Sequence, residues 1–331
     1  MTKPVRWGVI GAANIALKKV IPGMQRSELC DVVAIASRDL DKAQRAAADL
    51  GLARAYGSYD ELLADPDIEA IYNPLPNHMH VPWSIRALEA GKHVLCEKPI
   101  AMNAAEAREL LDARDRTGLL VMEAFMVRTH PRWLKIRELV QAGALGELRL
   151  VSGHFSYSKF DEQNIRNKVE WGGGGLLDIG CYPITMSRYL FNAEPLRVCG
   201  MIERDPQFGV DRLATAMLQF EKGHAHFSSA TQLAPAQFMH IFGTDARIMV
   251  PSPFTVTPDQ NSSFQLDDEI FEFGPPDHYT TQGDQFSRAV RGLGSLALPL
   301  EDSIANMAVI DAIFRSAETG EWEDVDTIHS H

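Results

Sequence analysis

Four short stretches of this chain set chemically capable side chains beside glycine or at the end of an apolar run. The most unusual is Gly172-Gly173-Gly174-Gly175, followed by Leu176-Leu177-Asp178-Ile179-Gly180-Cys181-Tyr182. Four glycines in a row lose much chain entropy on folding and need a reason, such as close approach of another backbone or a ligand. Asp178 and Tyr182 are four apart, the spacing that puts two side chains on one helix face. That face could offer a carboxylate and a phenol to one substrate. It could also be a helix start with an acid in its first turn and a core tyrosine.

A second stretch, Ala90-Gly91-Lys92-His93-Val94-Leu95-Cys96-Glu97-Lys98-Pro99, is an apolar run that closes on two charges and a proline. Lys98 is expected at the carboxyl edge of a sheet, where α/β proteins bind ligands. A surface lysine at a strand end is the plainer alternative. Near the N-terminus stands Gly11-Ala12-Ala13-Asn14-Ile15-Ala16, a G-x-G-x-x-G pattern with alanine at the second and third glycine positions. The first glycine permits the tight turn, small residues let the backbone approach a pyrophosphate, and the helix start offers N–H groups to that anion. The next apolar run ends in Ser37-Arg38-Asp39. A carboxylate at this place would accept from a ribose 2′-hydroxyl, whereas a hydroxyl and a guanidinium suit a 2′-phosphate. The order here favours NADP over NAD, with Asp39 as a helix cap.

The elements that must position these residues follow from periodicity. Residues 1–125 alternate apolar runs (Val5–Gly11, Asp31–Ser37, Ile68–Asn73, His93–Glu97, Leu119–Glu123) with helical patterns (Asn14–Arg26, Asp39–Leu50, Ser58–Ala64, His78–Ala90, Asn103–Arg116). Runs such as VVAIAS lack polar alternation, as expected of strands covered on both faces. This predicts an α/β fold with an N-terminal doubly wound parallel sheet of the Rossmann type. From residue 126 to 331 strand patterns dominate: Leu148–Phe155, Leu196–Glu203, Arg212–Phe220, His224–Ala230, Phe238–Gly243, Ala246–Val250 and Ser263–Phe273. A polar stretch, Ser156–Glu170, and helical patterns at Leu176–Leu190, Gln282–Arg291 and Leu300–Ala317 complete an α+β domain with a large, open, mostly antiparallel sheet. His329 and His331 lie in a polar tail.

Composition removes several functions. A net charge of −12 argues against nucleic acid as a partner, because such a protein shows a basic face. No apolar run approaches 18 residues, so no membrane span is expected. The opening MTKPVRWGVIG has no long apolar segment and predicts no signal peptide. Cys30, Cys96, Cys181 and Cys199 form no C-x-x-C pair and read as free thiols in the cytoplasm. His78 with His80, and His224 with His226, lack further ligands at metal spacing, so no metal is expected. No G-x-S-x-G elbow supports a serine hydrolase.

Together these motifs resemble the Gfo/Idh/MocA oxidoreductase family over nearly the whole chain. GVIGAANIA, AYGSYDELLADPDIEAIYNPLPNHMH, ALEAGKHVLCEKP and GGGGLLDIGCY occur in the family's order. MEAFMVRTHP and LLDIGCY look most like the branch holding dimeric dihydrodiol dehydrogenase, NADP-dependent xylose dehydrogenases and aldose–aldose oxidoreductases. The resemblance implies an NADP-binding domain at residues 1–125 and a substrate and oligomerisation domain at 126–331, whose open sheet forms a homodimer or a dimer of dimers. It implies that Lys98 lies between nicotinamide and substrate and that Tyr182 is the acid/base, where many members carry histidine. Asn77 and His80 match the family's segment near the cofactor. Pro74, Leu75 and Glu97 join the expected cofactor contacts.

The expected reaction takes a hydride from an aldose such as xylose or glucose at C1, giving a lactone. Free tyrosine has a pKa near 10, and a neighbouring Lys98 ammonium would favour the phenolate. Asp178 would accept bonds from sugar hydroxyls, with Arg128, His154 and Arg166 as further candidates for the substrate wall. Rival readings are an aldose–aldose oxidoreductase that keeps NADP(H) bound, a trans-dihydrodiol dehydrogenase, and a sugar or dinucleotide sensor without catalysis. The presence of both Lys98 and Tyr182 weighs against the sensor.

Overall fold

The computed structural model describes residues 2–255, 261–275 and 277–326. His329 and His331 lie outside the described residues. The chain divides into two compact units, one of residues 1–101, 105–129 and 277–303, the other of 102–104, 130–276 and 304–331.

In the first unit six strands form one sheet: β1 (Val5–Ile10), β2 (Cys30–Ala36), β3 (Arg54–Tyr56), β4 (Ala70–Asn73), β5 (His93–Cys96) and β6 (Val121–Glu123). Their order is β3-β2-β1-β4-β5-β6, every pair parallel, as in a doubly wound sheet. The strands are largely apolar because helices cover both faces; Val9, Ile35, Ile71 and Leu95 are all buried. The topology reverses between β1 and β4. A parallel sheet sends every carboxyl end to one edge, so Gly11, Ser37, Pro74 and Glu97, each just beyond its strand, share that edge. Asp39 caps helix Leu40–Leu50 by accepting from the Lys42 N–H, and Gly51 ends it at φ 66°. The late helix His278–Val290 belongs to this unit: Phe286 packs on Trp7 at 5.2 Å between ring centroids, and Trp7 Nε1 donates to Ser287 Oγ at 3.2 Å.

The second unit holds β7 (Leu148–Ser158), β8 (Arg197–Arg204), β9 (Asp211–Phe220), β10 (Gly223–Ala230), β11 (Gln232–Gly243), β12 (Arg247–Pro251), β13 (Ser262–Leu266), β14 (Glu269–Phe273) and β15 (Glu323–Asp324). They form one open sheet in the order β14-β13-β12-β11-β7-β10-β9-β8-β15. All pairs are antiparallel except β7 with β10. Its inner face, with Val151, Val198, Leu218, Ala225, Ile241 and Phe264, is buried. Helices Cys181–Phe191 and Leu300–Thr319 lie on that side: a Cβ on Gly153 would stand 3.0 Å from Pro183, and one on Gly200 would stand 2.9 Å from Ile313. The other face stays open and carries exposed Met201, Met217, Phe238 and Ile270.

Three local readings change. Ser263–Phe273 is a hairpin rather than one strand, because Asp267 takes φ 48° and turns the chain between β13 and β14. Helix Pro131–Gln141 is added, with His130 Nδ1 accepting from the Arg132 N–H at its start. The three-residue β3 is too short to show a pattern.

Candidate active site

In the first unit the turn after β1 is set by Gly11 at φ +109°, which a side chain rarely adopts. A Cβ there would press on Leu75 Cδ2 at 2.8 Å, with Tyr59 Oη at 3.9 Å. Leu75 thus closes over the turn, where Gly11 and Ala12 are buried, Ala13 is half-buried and Asn14 is exposed. Among the described residues no side chain caps the helical stretch that follows, Ala16–Val20 and Ile21–Met24. Its first stretch is a wide turn in which Ile21 N–H reaches Ala16 O, a feature common at functional sites. Ser37, buried beyond β2, accepts the Asp39 N–H at 3.3 Å, while Arg38 is exposed. Tyr59, a residue absent from the sequence reading, has its hydroxyl pushed up by burial and pulled back by Arg38 beside it.

Two further contacts fix the loops after β4 and β5. His80 is buried, with Nδ1 2.7 Å from Pro99 O and Nε2 2.7 Å from Leu75 O. Burial, with Lys98 nearby, pulls its pKa down to about 4, whereas the two carbonyls favour the cation. The buried ring therefore ties the Leu75 loop to the Lys98-Pro99 loop. Tyr72 Oη donates to Glu97 Oε1 at 2.6 Å, and burial first, then Glu97, pushes that phenol well up. Lys98 is half-buried beside Glu97, whose Oε2 accepts the Lys98 N–H at 3.4 Å. Asn77 is half-buried in the turn Asn77–Met79, and Pro74 is buried. Arg128 is buried, and its Nη1 donates to Asp302 Oδ2 at 3.2 Å, so it is an ion-pair residue of this unit.

In the second unit Asp178 is the meeting point. Its Oδ2 accepts from Arg166 Nε at 2.7 Å and from Tyr157 Oη at 2.7 Å. Asp178 raises the Arg166 pKa above its already high value, while burial first and then Asp178 push the Tyr157 phenol up. Tyr182 is 4% exposed and packs on Phe155 and Phe254, with centroids 5.9 and 5.4 Å apart. Asp178 and Tyr182 thus meet the same face of β7, at Tyr157 and Phe155.

His154 is not among them. It sits on the opposite face of β7, between Ser228 Oγ (2.7 Å) and Ser156 Oγ (2.9 Å), and stacks on Phe238. Strand alternation sends residues 151, 153, 155 and 157 inward and 154 outward, so His154 stands on the face of β7 opposite Tyr157. The same alternation was the signal for Tyr157: it continues past Phe155, where the sequence pattern seemed to end.

A doubly wound parallel sheet in this order, with a glycine turn at its switch point, defines a dinucleotide-binding protein of the Rossmann class. Residues 5–125 match the family described as an oxidoreductase family with NAD-binding Rossmann fold, and residues 133–249 match the GFO/IDH/MocA C-terminal domain. The chain belongs to the Gfo/Idh/MocA oxidoreductase family. It is 49% identical over 331 residues to an uncharacterized oxidoreductase of Rhizobium meliloti, covering 97% of this chain and 99% of the other. It is 36% identical over 326 residues to D-xylose 1-dehydrogenase (NADP(+)) 2 of Haloferax volcanii, covering 97% and 99%. A crystal structure of a 3-ketoreductase from Actinomadura kijaniata in complex with NADP and TDP-benzene superposes with a TM-score of 0.87 at 31% identity, covering 95% of this chain and 98% of that one.

Proposed function

We propose that the protein is a cytoplasmic NADP-dependent oxidoreductase that oxidises an aldose at C1 to the lactone. The observation that carries this reading is Asp178, held by Arg166 and Tyr157 on the helix that also carries Tyr182. A carboxylate with several donors around it suits the alternating hydroxyls of a sugar, and the phenol stands close by in sequence. Similarity to a xylose dehydrogenase along almost the whole chain supports the same substrate class.

The first unit fits the cofactor. The left-handed Gly11, the small side chains of the turn and the uncapped helix start suit a pyrophosphate, and Ser37 with Arg38 suits a 2′-phosphate. NADP⁺ held there would supply the hydride acceptor. Lys98 and Tyr182 act together on the hydroxyl of the reacting carbon: the Tyr182 phenolate, favoured by the Lys98 ammonium, takes its proton. Asp178 and Arg166 orient the other hydroxyls. His80, whose ring lies between the Leu75 and Pro99 carbonyls, positions those two loops at the edge where the cofactor would lie.

The open sheet face supports a homodimer or dimer of dimers, because Met201 (72% exposed) and Ile270 (64%) belong to a broad uncovered surface. Light scattering at micromolar concentration is expected to give twice or four times 36.7 kDa; a monomer contradicts it.

A panel of aldoses and polyols assayed with NADP⁺ and NAD⁺ at 340 nm tests the main reading. Aldose-dependent reduction of NADP⁺, faster than of NAD⁺, is expected. Freshly purified protein that already absorbs near 340 nm and needs a second sugar to turn over points instead to aldose–aldose exchange. Turnover only with a dihydrodiol, or only with a keto sugar nucleotide, replaces the aldose.

A further inference from the structure

The four glycines before the Tyr182 helix have a partner that the proposed chemistry does not use. Asp211 opens β9 and is 2% exposed. Its Oδ2 accepts the Leu176 N–H at 2.5 Å, and the Gly175 N–H also bonds to this carboxylate. Leu176 begins the wide turn Leu176–Gly180, in which Cys181 N–H reaches Leu176 O, and helix Cys181–Phe191 continues it. Gly174 stands at φ +116°, and a Cβ there would fall on Asp211 Oδ1. On the other side, Gly173 N–H donates to Lys168 O and Gly174 N–H to Arg166 O, both at 2.9 Å. A Cβ on Gly173 would be 2.5 Å from Arg166 O. The glycine run is thus pressed between a buried carboxylate and the backbone of the loop that supplies Arg166 to Asp178.

We propose that Asp211 is a positioning residue for the reaction assigned above: seated in the gap left by Gly174, it fixes the helix start that sets Asp178 and Tyr182 on the inner face of β7. The inference rests on that functional reading for its consequence in turnover, but not for its structural content. The charged group acting on Asp211 is Arg204, its register partner on β8. Burial raises the Asp211 carboxyl to about 7 in spite of Arg204 and the N–H donors, so an amide can replace it as acceptor.

Four variants test this: Asp211→Ala, Asp211→Asn, Gly174→Ala, and Gly174→Ala with Asp211→Ala. Misplacing reacting groups by about 1 Å can cost about 10²-fold. Asp211→Ala is expected to lower kcat by about tenfold or more while NADP⁺ binding stays within about twofold. Asp211→Asn should recover most of that loss, because its amide oxygen still accepts the Leu176 N–H. The double variant should be no slower than Gly174→Ala alone, since the carboxylate that the new methyl would meet is gone. Amide hydrogen exchange over residues 174–182 reads the same claim without substrate: faster in Asp211→Ala, unchanged in Asp211→Asn. If wild type turns over no sugar, the functional reading fails, and the exchange data alone decide this one. Wild-type kcat or unchanged exchange in folded Asp211→Ala overturns the proposal, as does an Asp211→Asn that behaves like Asp211→Ala.

Discussion

Two helices of this chain begin in the same way and end up doing opposite things. Both follow a left-handed glycine, Gly11 at φ +109° and Gly174 at φ +116°, and both open with a wide i→i+5 turn. After Gly11, among the described residues, the helix start meets no capping side chain. After Gly174 it meets the buried carboxylate of Asp211. A helix N-terminus attracts an anion in either case. In the first unit the proposed partner is a pyrophosphate brought by the cofactor; in the second the fold supplies its own acceptor, the Asp211 carboxyl. A glycine-rich turn before a helix is therefore ambiguous until the residue facing it is known.

The strongest way to break this contrast is to remove the chemistry that the second helix carries. Tyr182→Phe is expected to lower kcat by about 10²-fold or more, with NADP⁺ binding retained, in steady-state kinetics on the best aldose. Lys98→Met should cost a similar factor, and the double variant little more than the worse single, as coupled groups do. If the losses multiply, the two residues act separately.

Next come the cofactor variants in the first unit. Arg38→Ala should raise the NADP⁺ KM about tenfold or more, since a charge-assisted phosphate bond is worth about 1.5–3 kcal/mol, and leave NAD⁺ nearly unchanged. Equal losses for both cofactors remove Arg38 from the 2′-phosphate. Gly11→Ala should weaken both cofactors alike, because it strains the turn they share.

Gly174→Ala is expected to act on stability instead, lowering Tm by about 4 °C or more through backbone strain and the Asp211 contact. A larger Tm loss in Gly11→Ala would reverse the comparison, since there the nearest obstacle is the movable end of Leu75.

The smallest effect concerns pH. The Asp211 carboxyl is raised in the folded state to about 7, above its ordinary value of 3.8. The folded state therefore favours the protonated form, and that contribution to stability is full below about pH 4 and is lost as pH rises through 7. Asp211→Asn lacks this loss. Its Tm relative to wild type should improve between pH 5 and pH 8; a pH-independent difference contradicts the raised value.

Sequence carried the first unit almost completely, because strands buried on both faces read as plain apolar runs. It missed Arg54–Tyr56, whose half-buried residues show no such run. Asp178 and Tyr182 were legible as a pair through the glycine motif and their four-residue spacing, and Arg166, read only as a further candidate, meets Asp178. Tyr157 was legible only by continuing the alternation of β7 past Phe155, and Asp211 was not legible, since it reaches the Tyr182 helix through packing that spacing cannot reveal. His154 stands on the other face of β7 from Phe155 and Tyr157, which alternation along the strand sets. Arg128 shows a further limit, because its partner Asp302 is 174 residues away.

The most direct test of the contrast is amide hydrogen exchange with and without NADP⁺. Without cofactor, residues 174–176 should exchange more slowly than residues 12–16, because Asp211 already holds the second helix start. Adding NADP⁺ should then slow residues 12–16 most. Fast exchange at 174–176 in the free protein, with no change at 12–16 on saturation with NADP⁺, would contradict the account at both ends.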